Sequence, residues 1–446
     1  MTVSPLDSAL HGGLFSEPEI AALFSDEAEL RALLRVEAAL ARVQGRLDVI
    51  PAKAAKRISE VAETFAPDPT SLADGTAAAG IPIPALVAAL RDAVGNEEAA
   101  SFVHWGATSQ DVIDSALVLR LEAALDLLEA RLKAVSVVLA GLADGHRATL
   151  MVGRTRSQQA VPITFGLKAA NWLAPLLRAR QRLNQLRPRV LLLSFGGAAG
   201  TLAALGTRGP DVAEALAAEL GLGLPPLPWH AQRDGIAELA GWLSLVTGGL
   251  GKLGQDVLLL AQSEVGELRE GGAEGRGGSS TMPQKANPVS SEVLVTAARL
   301  NATLLSAIHQ ALPQEQERGG PGWQLEWLTL PQMVVMTGGA LRQAQDLLEN
   351  LEVDAERMRA NLEASKGLVL AEAATFALAE HLPRPEAQAL VKSACAEVRR
   401  NGRHLMEVLA DSCEAPLDWV ALSDPANALG AAEAFIDRVL AEHATS

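Results

Sequence analysis

The chain has 446 residues, which is too long for one compact core and predicts two or three domains. Its formal net charge of −15 argues against a general nucleic-acid surface, because phosphate binding requires clustered lysine and arginine. Tyrosine is absent and aromatic residues make up 3% of the chain, so the composition favours helices over sheets. We therefore expect an acidic, mostly helical protein in which local positive groups hold any anionic substrate.

The first 110 residues predict an N-terminal helical domain. Short helical patterns in this region are separated by prolines, among them Pro51, Pro67 and Pro82. Between residues 30 and 40, four leucines recur at helical spacing and form one stripe together with Glu37. This mostly apolar stripe predicts a helix with one face directed at a core.

Residues 111–351 predict a central bundle domain of long helices. Five helical patterns follow one another, over residues 113–142, 163–186, 234–269, from about 290 to just before Pro313, and from Pro331 to about 351. The third pattern would be about 50 Å long and is apolar on most of its circumference. A helix of that kind belongs at the centre of a large assembly rather than on a monomer surface.

Four closely spaced glycines lie inside the third pattern, Gly248, Gly249, Gly251 and Gly254. Each lowers the intrinsic stability of a helix by up to ~1 kcal/mol. Small residues of this kind indicate either close helix–helix approach or a kink or break in the helix. Both alternatives stay open on the sequence alone.

Residues 352–446 predict a C-terminal domain of shorter helices separated by prolines. Its two cysteines, Cys395 and Cys413, lack metal-ligand spacing and are expected to be reduced thiols. The N-terminus shows no basic region followed by an apolar core, and the longest apolar stretches, such as residues 240–251, are too short to span a bilayer. We therefore expect a cytoplasmic enzyme.

The most informative segment is Gly-Gly-Ser-Ser-Thr-Met-Pro-Gln-Lys-Ala-Asn-Pro, at residues 277–288. It ends a glycine-rich run that begins at Gly271, and glycine opens backbone angles that other residues avoid. Three hydroxyls, one ammonium and two amides are set into this run. A flexible loop with convergent polar groups between two helices predicts a lid over an anionic substrate, and an ordinary surface loop is the alternative.

Three segments resemble the fumarase/aspartase superfamily. Residues 279–288 have the order Ser-Ser-x-Met-Pro-x-Lys-x-Asn-Pro, which is similar to its signature loop. His-Trp-Gly-Ala-Thr-Ser-Gln-Asp at residues 104–111 resembles its first substrate-binding segment, and Gly-Arg-Thr-Arg-Ser-Gln-Gln-Ala-Val-Pro at residues 153–162 resembles its second. The resemblance implies an all-α, three-domain fold whose central helix bundle forms a tetrameric core, with each active site drawn from three subunits.

The same resemblance assigns roles to the signature loop. It implies chemistry in which a proton leaves the carbon β to a leaving group, or the reverse addition. Ser279 matches the catalytic serine and Ser280 its substrate-binding neighbour, while Lys285 and Asn287 match the pair that binds the substrate carboxylate. A lone serine is a poor base and needs backbone N–H groups or a cation to favour its alkoxide. Capping of the following turn by both serines is the alternative.

The other two segments supply further substrate-binding candidates. Thr108, Ser109 and Gln110 offer donors ahead of a helix whose N-terminus also favours anions, although helix capping is an additional or alternative role. His104 is a candidate for substrate binding or proton transfer, and a buried structural histidine is the alternative. Gln158 in the second segment joins the substrate-binding set.

The chain departs from the superfamily pattern at Arg156. Fumarases and the related lyases carry Thr-His where this chain has Thr-Arg, and that histidine pairs with a glutamate matched here by Glu292. Arginine stays protonated and cannot shuttle a proton, but it can hold a carboxylate or sulfonate with two parallel hydrogen bonds. Arg156 is therefore a substrate-binding candidate, with Glu292 in support. Arg318 is a second candidate anion ligand, and an exposed charge is the alternative for it.

This departure selects among the superfamily's reactions. Bacterial 3-carboxy-cis,cis-muconate cycloisomerases also lack the histidine, and residues 313–318 and 323–331 resemble theirs. The resemblance implies conversion of 3-carboxy-cis,cis-muconate to a carboxymuconolactone in protocatechuate catabolism, by a homotetramer that needs no metal or organic cofactor and no nucleic-acid or membrane partner. The alternatives are a 3-sulfomuconate cycloisomerase, an adenylosuccinate-type lyase and an inactive structural member of the fold.

Overall fold

The computed structural model describes residues 3–272 and 276–445. Most of the chain is α-helical, which confirms the all-α part of the predicted fold. The helices of the described part are α1 (Gly12–Phe15), α2 (Pro18–Ala22), α3 (Asp26–Arg46), α4 (Ala52–Thr64), α5 (Ala73–Ala79), α6 (Ile83–Val94), α7 (Glu97–Ala100), α8 (Ser109–Gly145), α9 (Phe165–Val190), α10 (Gly209–Leu220), α11 (Asp234–Leu260), α12 (Val289–Ala311), α13 (Pro321–Glu349), α14 (Ala355–Glu363), α15 (Ala371–Ala379), α16 (Arg384–Asn401), α17 (Leu405–Ser412), α18 (Trp419–Ser423) and α19 (Ala432–Thr445). The strands are β1 (Leu150–Thr155), β2 (Gln158–Thr164), β3 (Leu268–Glu270) and β4 (Leu351–Val353).

Local signals explain where α3 begins and which face it buries. The Ser25 hydroxyl accepts a hydrogen bond from the Ala28 N–H at 3.2 Å, and acidic residues in the first turn complement the positive end of the helix. The predicted stripe is buried, and α3 packs against α4. Glu37 is buried together with the leucines of the stripe, although it is charged.

The five predicted long helices correspond to α8, α9, α11, α12 and α13. The predicted end of the third helix is wrong, because α11 ends at Leu260 rather than near Arg269. The chain turns at Gly266, whose φ of 62° lies in the left-handed region, and β3 then pairs antiparallel with β4.

The predicted start of the fifth helix is also wrong. α13 begins at Pro321, and Pro331 lies inside the helix. A proline in a helix interior costs about 3 kcal/mol, because it removes one backbone hydrogen bond and crowds the preceding turn. Burial of the adjacent side chains Leu330 and Met333 offsets this cost.

The four glycines singled out in the third pattern lie in α11, where one of them allows close helix packing and none interrupts the helix. α11 is continuous through all four of them. A Cβ atom on Gly254 would lie 2.7 Å from the Ser291 carbonyl oxygen and 2.9 Å from the Leu294 Cβ, both on α12. The close-approach alternative is therefore correct at Gly254. Around Gly248, by contrast, no described atom lies within 4 Å of such a Cβ.

A two-stranded hairpin, which was not predicted from the sequence, interrupts the helical fold between α8 and α9. β1 and β2 are antiparallel, and Thr155 is paired with Gln158. The two residues between them, Arg156 and Ser157, have φ values of 48° and 64°. Two successive residues of positive φ form the type I′ turn that closes a two-residue hairpin.

The chain divides into two compact units. The first contains residues 3–131, 179–248 and 297–342, and its core includes Leu33, Leu86 and Val118. The second contains residues 132–178, 249–272, 276–296 and 343–445, and its core includes Leu378 and Leu409. The division into domains at residues 1–110, 111–351 and 352–446 stays a prediction. Among the helices of the described residues, none combines the length and the hydropathy of a membrane-spanning segment. Both cysteines are free thiols.

Candidate active site

The predicted site residues belong to both units. The first unit holds those of the first segment together with Arg318, namely His104, Thr108, Ser109, Gln110 and Arg318. The second unit holds those of the hairpin, of the signature loop and of the helix that follows it, namely Arg156, Gln158, Ser279, Ser280, Lys285, Asn287 and Glu292. Each group has its own supporting contacts.

Asp111 organises the start of α8 in the first unit. Its buried carboxylate accepts hydrogen bonds from the backbone N–H groups of Thr108 at 2.9 Å, Gly196 at 2.8 Å and Gly197 at 2.9 Å. The Nε2 atom of the buried His230 lies 2.7 Å from the same carboxylate. These contacts fix the backbone of Thr108 at the helix N-terminus, where N–H groups favour an anion.

Arg318 is held beside this helix terminus. Its Nη1 donates to the Thr108 hydroxyl at 2.7 Å, and its Nη2 donates to the Ala198 carbonyl. The side chain is half-buried, so Arg318 is an ordered charge rather than a freely exposed one. Its predicted role as an anion ligand stays a prediction.

Ser109 and Gln110 differ in accessibility. Ser109 is half-buried at the first residue of α8, whereas Gln110 is 1% exposed. The Gln110 amide nitrogen donates to Asp114 and to the His230 carbonyl, both at 3.1 Å, while its Oε1 has no partner among the described residues. Substrate binding by Gln110 stays a prediction, and in this conformation its amide group contacts protein.

A buried ionic cluster supports the start of α8. Arg233 lies between two carboxylates, with Nη1 2.7 Å from Asp114 Oδ2 and Nη2 2.5 Å from Glu326 Oε2. Trp323 Nε1 donates to Asp114 at 3.0 Å. Burial alone would lower the pKa of Arg233, but the two carboxylates outweigh it and raise that pKa. This cluster was not predicted from the sequence, because its members are far apart in the chain.

His104 forms a close pair with Glu37. The His104 Nδ1 atom lies 2.6 Å from Glu37 Oε1, and the His104 side chain keeps 16% of its surface exposed. Burial acts to lower the pKa of His104, but the charge of Glu37 and its hydrogen bond outweigh that effect and raise the pKa.

The signature loop of the second unit closes on itself at its base. The Asn287 N–H donates to the Gly277 carbonyl at 2.8 Å, and Gly278 forms an isolated antiparallel bridge with Ala286. Gly277 has a φ of 66°, and a Cβ atom there would lie 2.3 Å from the Asn287 carbonyl oxygen. Only glycine fits this position without a change of the backbone.

The closed loop surrounds the Ser279 hydroxyl with backbone donors. Ser279 Oγ accepts from the Met282 N–H at 3.1 Å and from the Thr281 N–H at 3.4 Å, and the side chain is half-buried. This contact caps the turn, although the alternative expected both serines to do so and, within the described residues, the Ser280 hydroxyl is hydrogen-bonded only to that of Thr281. The same contact also supplies the backbone N–H groups that an alkoxide requires. Ser280 and Lys285 are exposed in the same loop.

The start of α12, directly after the loop, is capped by a carboxylate. Glu270 accepts from the N–H of Ser290 at 3.1 Å, from the N–H of Ser291 at 2.8 Å and from the Ser291 hydroxyl at 2.6 Å. Arg276 also donates to Ser290 and pairs with Asp346. The end of the loop is thereby anchored to the helix that carries the exposed Glu292.

The hairpin presents Arg156 at its tip. Arg154 anchors the hairpin through two hydrogen bonds to the buried Glu267, at 2.6 and 2.9 Å. Arg156 and Gln158 are both exposed. Within residues 3–272 and 276–445, neither Arg156 nor Glu292 forms an ion pair, so the pairing that the resemblance implies stays a prediction.

The first unit also contains a cavity of about 700 Å³, lined mostly by apolar side chains. Its polar lining residues are Asp26, Glu29, Thr76, Arg120 and Glu326. None of the predicted site residues lines it, so its size does not identify it as the substrate pocket. The described residues contain no group of three histidine, cysteine or acidic side chains that could hold a metal ion.

Comparisons with known proteins cover nearly the whole chain. A lyase family model matches residues 15–300, and a model described as the adenylosuccinate lyase C-terminus matches residues 367–439. A 3-carboxy-cis,cis-muconate cycloisomerase from Pseudomonas aeruginosa is 48% identical, and the match covers 97% of this chain and 96% of the relative. One from Bradyrhizobium diazoefficiens is 46% identical, over 97% of this chain and 98% of the relative.

A solved structure agrees with these sequence matches. The crystal structure of 3-carboxy-cis,cis-muconate lactonizing enzyme from Pseudomonas putida has a TM-score of 0.92 to this chain at 46% identity. The match covers 98% of this chain and 99% of that structure.

Proposed function

The chain belongs to the lyase family whose model matches residues 15–300, and on that premise we propose that it is a 3-carboxy-cis,cis-muconate cycloisomerase. Relatives at 46 and 48% identity over 97% of the chain bear that name. The observation that carries the proposal is Arg156, which occupies the tip of the hairpin where a lyase would carry a proton-transferring histidine.

Lactonisation explains why an arginine suffices at this position. One carboxylate of the substrate adds its oxygen to a carbon of a conjugated double bond and closes the lactone ring. The electron pair of that bond moves to the carbon next to another carboxylate, which delocalises the charge until the carbon receives one proton. In reverse, the leaving group is a carboxylate, which departs without a general acid. A fixed cation that orients a trianionic substrate is then more useful than a second proton carrier.

Ser279 is the proton carrier in this proposal. Its hydroxyl gives a proton to the carbanionic carbon during lactonisation, and solvent then reprotonates the alkoxide. The N–H groups of Thr281 and Met282, which already point at Ser279 Oγ, stabilise that alkoxide. Lys285 and Asn287 bind the carboxylate on which the charge develops, because an ammonium and an amide are both donors to an oxyanion.

The remaining anion ligands come from the other two segments. Arg156 and Gln158 contribute from the hairpin, with Glu292 in support of Arg156. His104, Thr108, Ser109, Gln110, Ser280 and Arg318 complete the set. No metal or organic cofactor takes part in the proposed reaction, and we place the enzyme in the cytoplasm.

We also propose that the enzyme is a homotetramer in which three subunits build each active site. Several long helices expose large apolar side chains, including Val137 on α8, Leu245 on α11 and Leu328 on α13. Leu245 is 58% exposed and Leu328 is 69% exposed, and neighbouring subunits would cover such side chains. Sedimentation equilibrium measures the mass independently of shape, and a stable monomer that retains full turnover would contradict shared sites.

The C-terminal match to adenylosuccinate lyase favours that reaction as the second candidate. Arg156 argues against it, because a guanidinium cannot exchange a proton at neutral pH. An ultraviolet assay with 3-carboxymuconate, 3-sulfomuconate, adenylosuccinate and fumarate separates the candidates. We expect turnover of 3-carboxymuconate, and inactivity on all four compounds would contradict an enzymatic role.

A further inference from the structure

The pair of His104 and Glu37 contains a buried charge that the reaction described above does not use. Glu37 lies in the middle of α3, is 1% exposed and is surrounded by the leucines of the buried stripe. One carboxylate oxygen contacts His104 Nδ1 at 2.6 Å, and the other has no hydrogen-bond partner among the described residues. A buried charge with an unsatisfied oxygen is costly, and an apolar residue of similar size would pack there at lower cost.

The histidine of the pair is accessible on its other side. The His104 ring donates through Nδ1 to Glu37, which leaves the proton or lone pair of Nε2 for another partner. No residue of the described part forms a hydrogen bond with that Nε2. With 16% of its side chain exposed, His104 can reach solvent or a ligand while Glu37 cannot.

The surrounding backbone holds the ring in place. Gln44 lies about two turns of α3 beyond Glu37 and donates to the Trp105 carbonyl at 2.7 Å. Arg91 on α6 donates to the Val103 carbonyl at 3.2 Å. These two contacts anchor the residues on both sides of His104. The segment that resembles the first substrate-binding segment is therefore fixed to α3 and α6 before any ligand arrives.

Three charged groups act on His104. Glu37 and Asp111 favour the imidazolium and Arg91 opposes it, while burial also opposes it. The net effect is a raised pKa, so the cationic form persists to a higher pH than in an ordinary histidine.

We propose that Glu37 is a positioning residue that holds His104 as an imidazolium whose Nε2–H binds a carboxylate of the anionic substrate. Glu37 itself does not touch the substrate and acts only through His104. The inference rests on the proposed function for the identity of the substrate, but the pairing of the two residues does not depend on it.

The test compares Glu37→Gln with the wild-type enzyme over a range of pH. Glutamine keeps an oxygen acceptor for His104 Nδ1 and removes the charge. Because a raised pKa means that binding is strong below it and is lost as the pH rises through it, KM should rise with pH in the wild type. In Glu37→Gln the rise of KM should begin at lower pH. At a pH between the His104 pKa of the variant and that of the wild type, the KM of the variant should be about tenfold higher than that of the wild type, and kcat should change less.

Two further variants separate positioning from stability. Gln44→Met removes a partly buried hydrogen bond to the same segment but leaves the Glu37 charge, so it should keep the wild-type pH profile of KM. His104→Asn retains the left-handed backbone, since asparagine tolerates the φ of 64° at this position. Adding Glu37→Gln to His104→Asn should raise KM no further, because Glu37 acts through His104.

Nuclear magnetic resonance titration of the histidine rings tests the pairing without substrate turnover. The His104 signal is assigned as the one absent from His104→Asn, and its pKa should be lower in Glu37→Gln. An unchanged titration, or an unchanged pH profile of KM, would overturn the proposal. If Glu37→Gln does not fold, the titration of His104 in the wild type tests the proposal instead. A His104 pKa that is not raised above the ordinary histidine value would overturn the proposal as well. Inactivity of the wild type on every muconate would instead overturn the proposed function.

Discussion

Replacing Arg156 by asparagine separates its role in the reaction from its role in the hairpin. Arg156 occupies the first position of the two-residue turn with a φ of 48°, a conformation that asparagine adopts more readily than arginine. Arg156 is exposed and forms no ion pair within the described residues. The substitution should therefore leave the free energy of unfolding within about 0.5 kcal/mol of the wild-type value.

The expected effect on turnover is larger. A guanidinium that binds a substrate carboxylate through charge-assisted hydrogen bonds contributes about 1.5–3 kcal/mol. Since about 1.4 kcal/mol corresponds to a factor of ten, Arg156→Asn should lower kcat/KM for 3-carboxymuconate by about 10- to 100-fold. Arg156→Lys keeps the charge but loses the planar pair of donors, so its loss should be intermediate.

The assay follows the loss of diene absorbance as the substrate forms the lactone. Ser157→Gly is the matched control, because it changes the second position of the same turn, where φ is 64°, and removes no cation. The control should retain wild-type kcat/KM. If Arg156→Asn is as stable and as active as the wild type, with an unchanged KM, then Arg156 does not bind substrate.

Three other substitutions test the loop and its support. Ser279→Ala should lower kcat by about 10²- to 10⁴-fold at an unchanged melting temperature, and normal turnover would exclude Ser279 as the proton carrier. Gly277→Ala places a Cβ 2.3 Å from the Asn287 carbonyl oxygen, so the base of the loop cannot close. We therefore expect reduced turnover, and wild-type rates would show that turnover does not need this closure. Arg233→Met leaves the buried Asp114 and Glu326 carboxylates without a cation. It should lower the free energy of unfolding by about 3–5 kcal/mol in chemical denaturation, and a loss below about 1 kcal/mol would contradict this account of the cluster.

The sequence predicted the helical fold because apolar periodicity and proline breaks mark long helices well. It did not predict that Pro331 lies inside α13, since the packing of neighbouring side chains outweighed the local cost of the proline. It also missed the β1–β2 hairpin. Arg156-Ser157 lacks the glycine and asparagine that usually announce a type I′ turn, so the turn is visible only from its backbone angles.

The candidate site was predictable only as a set of segments. The order of residues in the signature loop identified Ser279, but the two N–H groups directed at its hydroxyl are a property of the folded loop. Asp111 and His230 lie far apart in the chain and meet only in the fold. Glu37 did leave a signal, since it is the one charged residue within an otherwise apolar helical stripe, and such a residue marks a buried polar contact.

The most direct test of the proposed function is the reaction of the wild-type enzyme with 3-carboxy-cis,cis-muconate in deuterated water, followed by ultraviolet absorbance and by proton nuclear magnetic resonance of the product. We expect the diene absorbance to disappear as a single lactone forms, with one solvent-derived deuteron at the carbon that Ser279 protonates. We expect no turnover of fumarate or adenylosuccinate. Turnover of adenylosuccinate without turnover of either muconate would contradict the proposal and show that Arg156 does not exclude lyase chemistry.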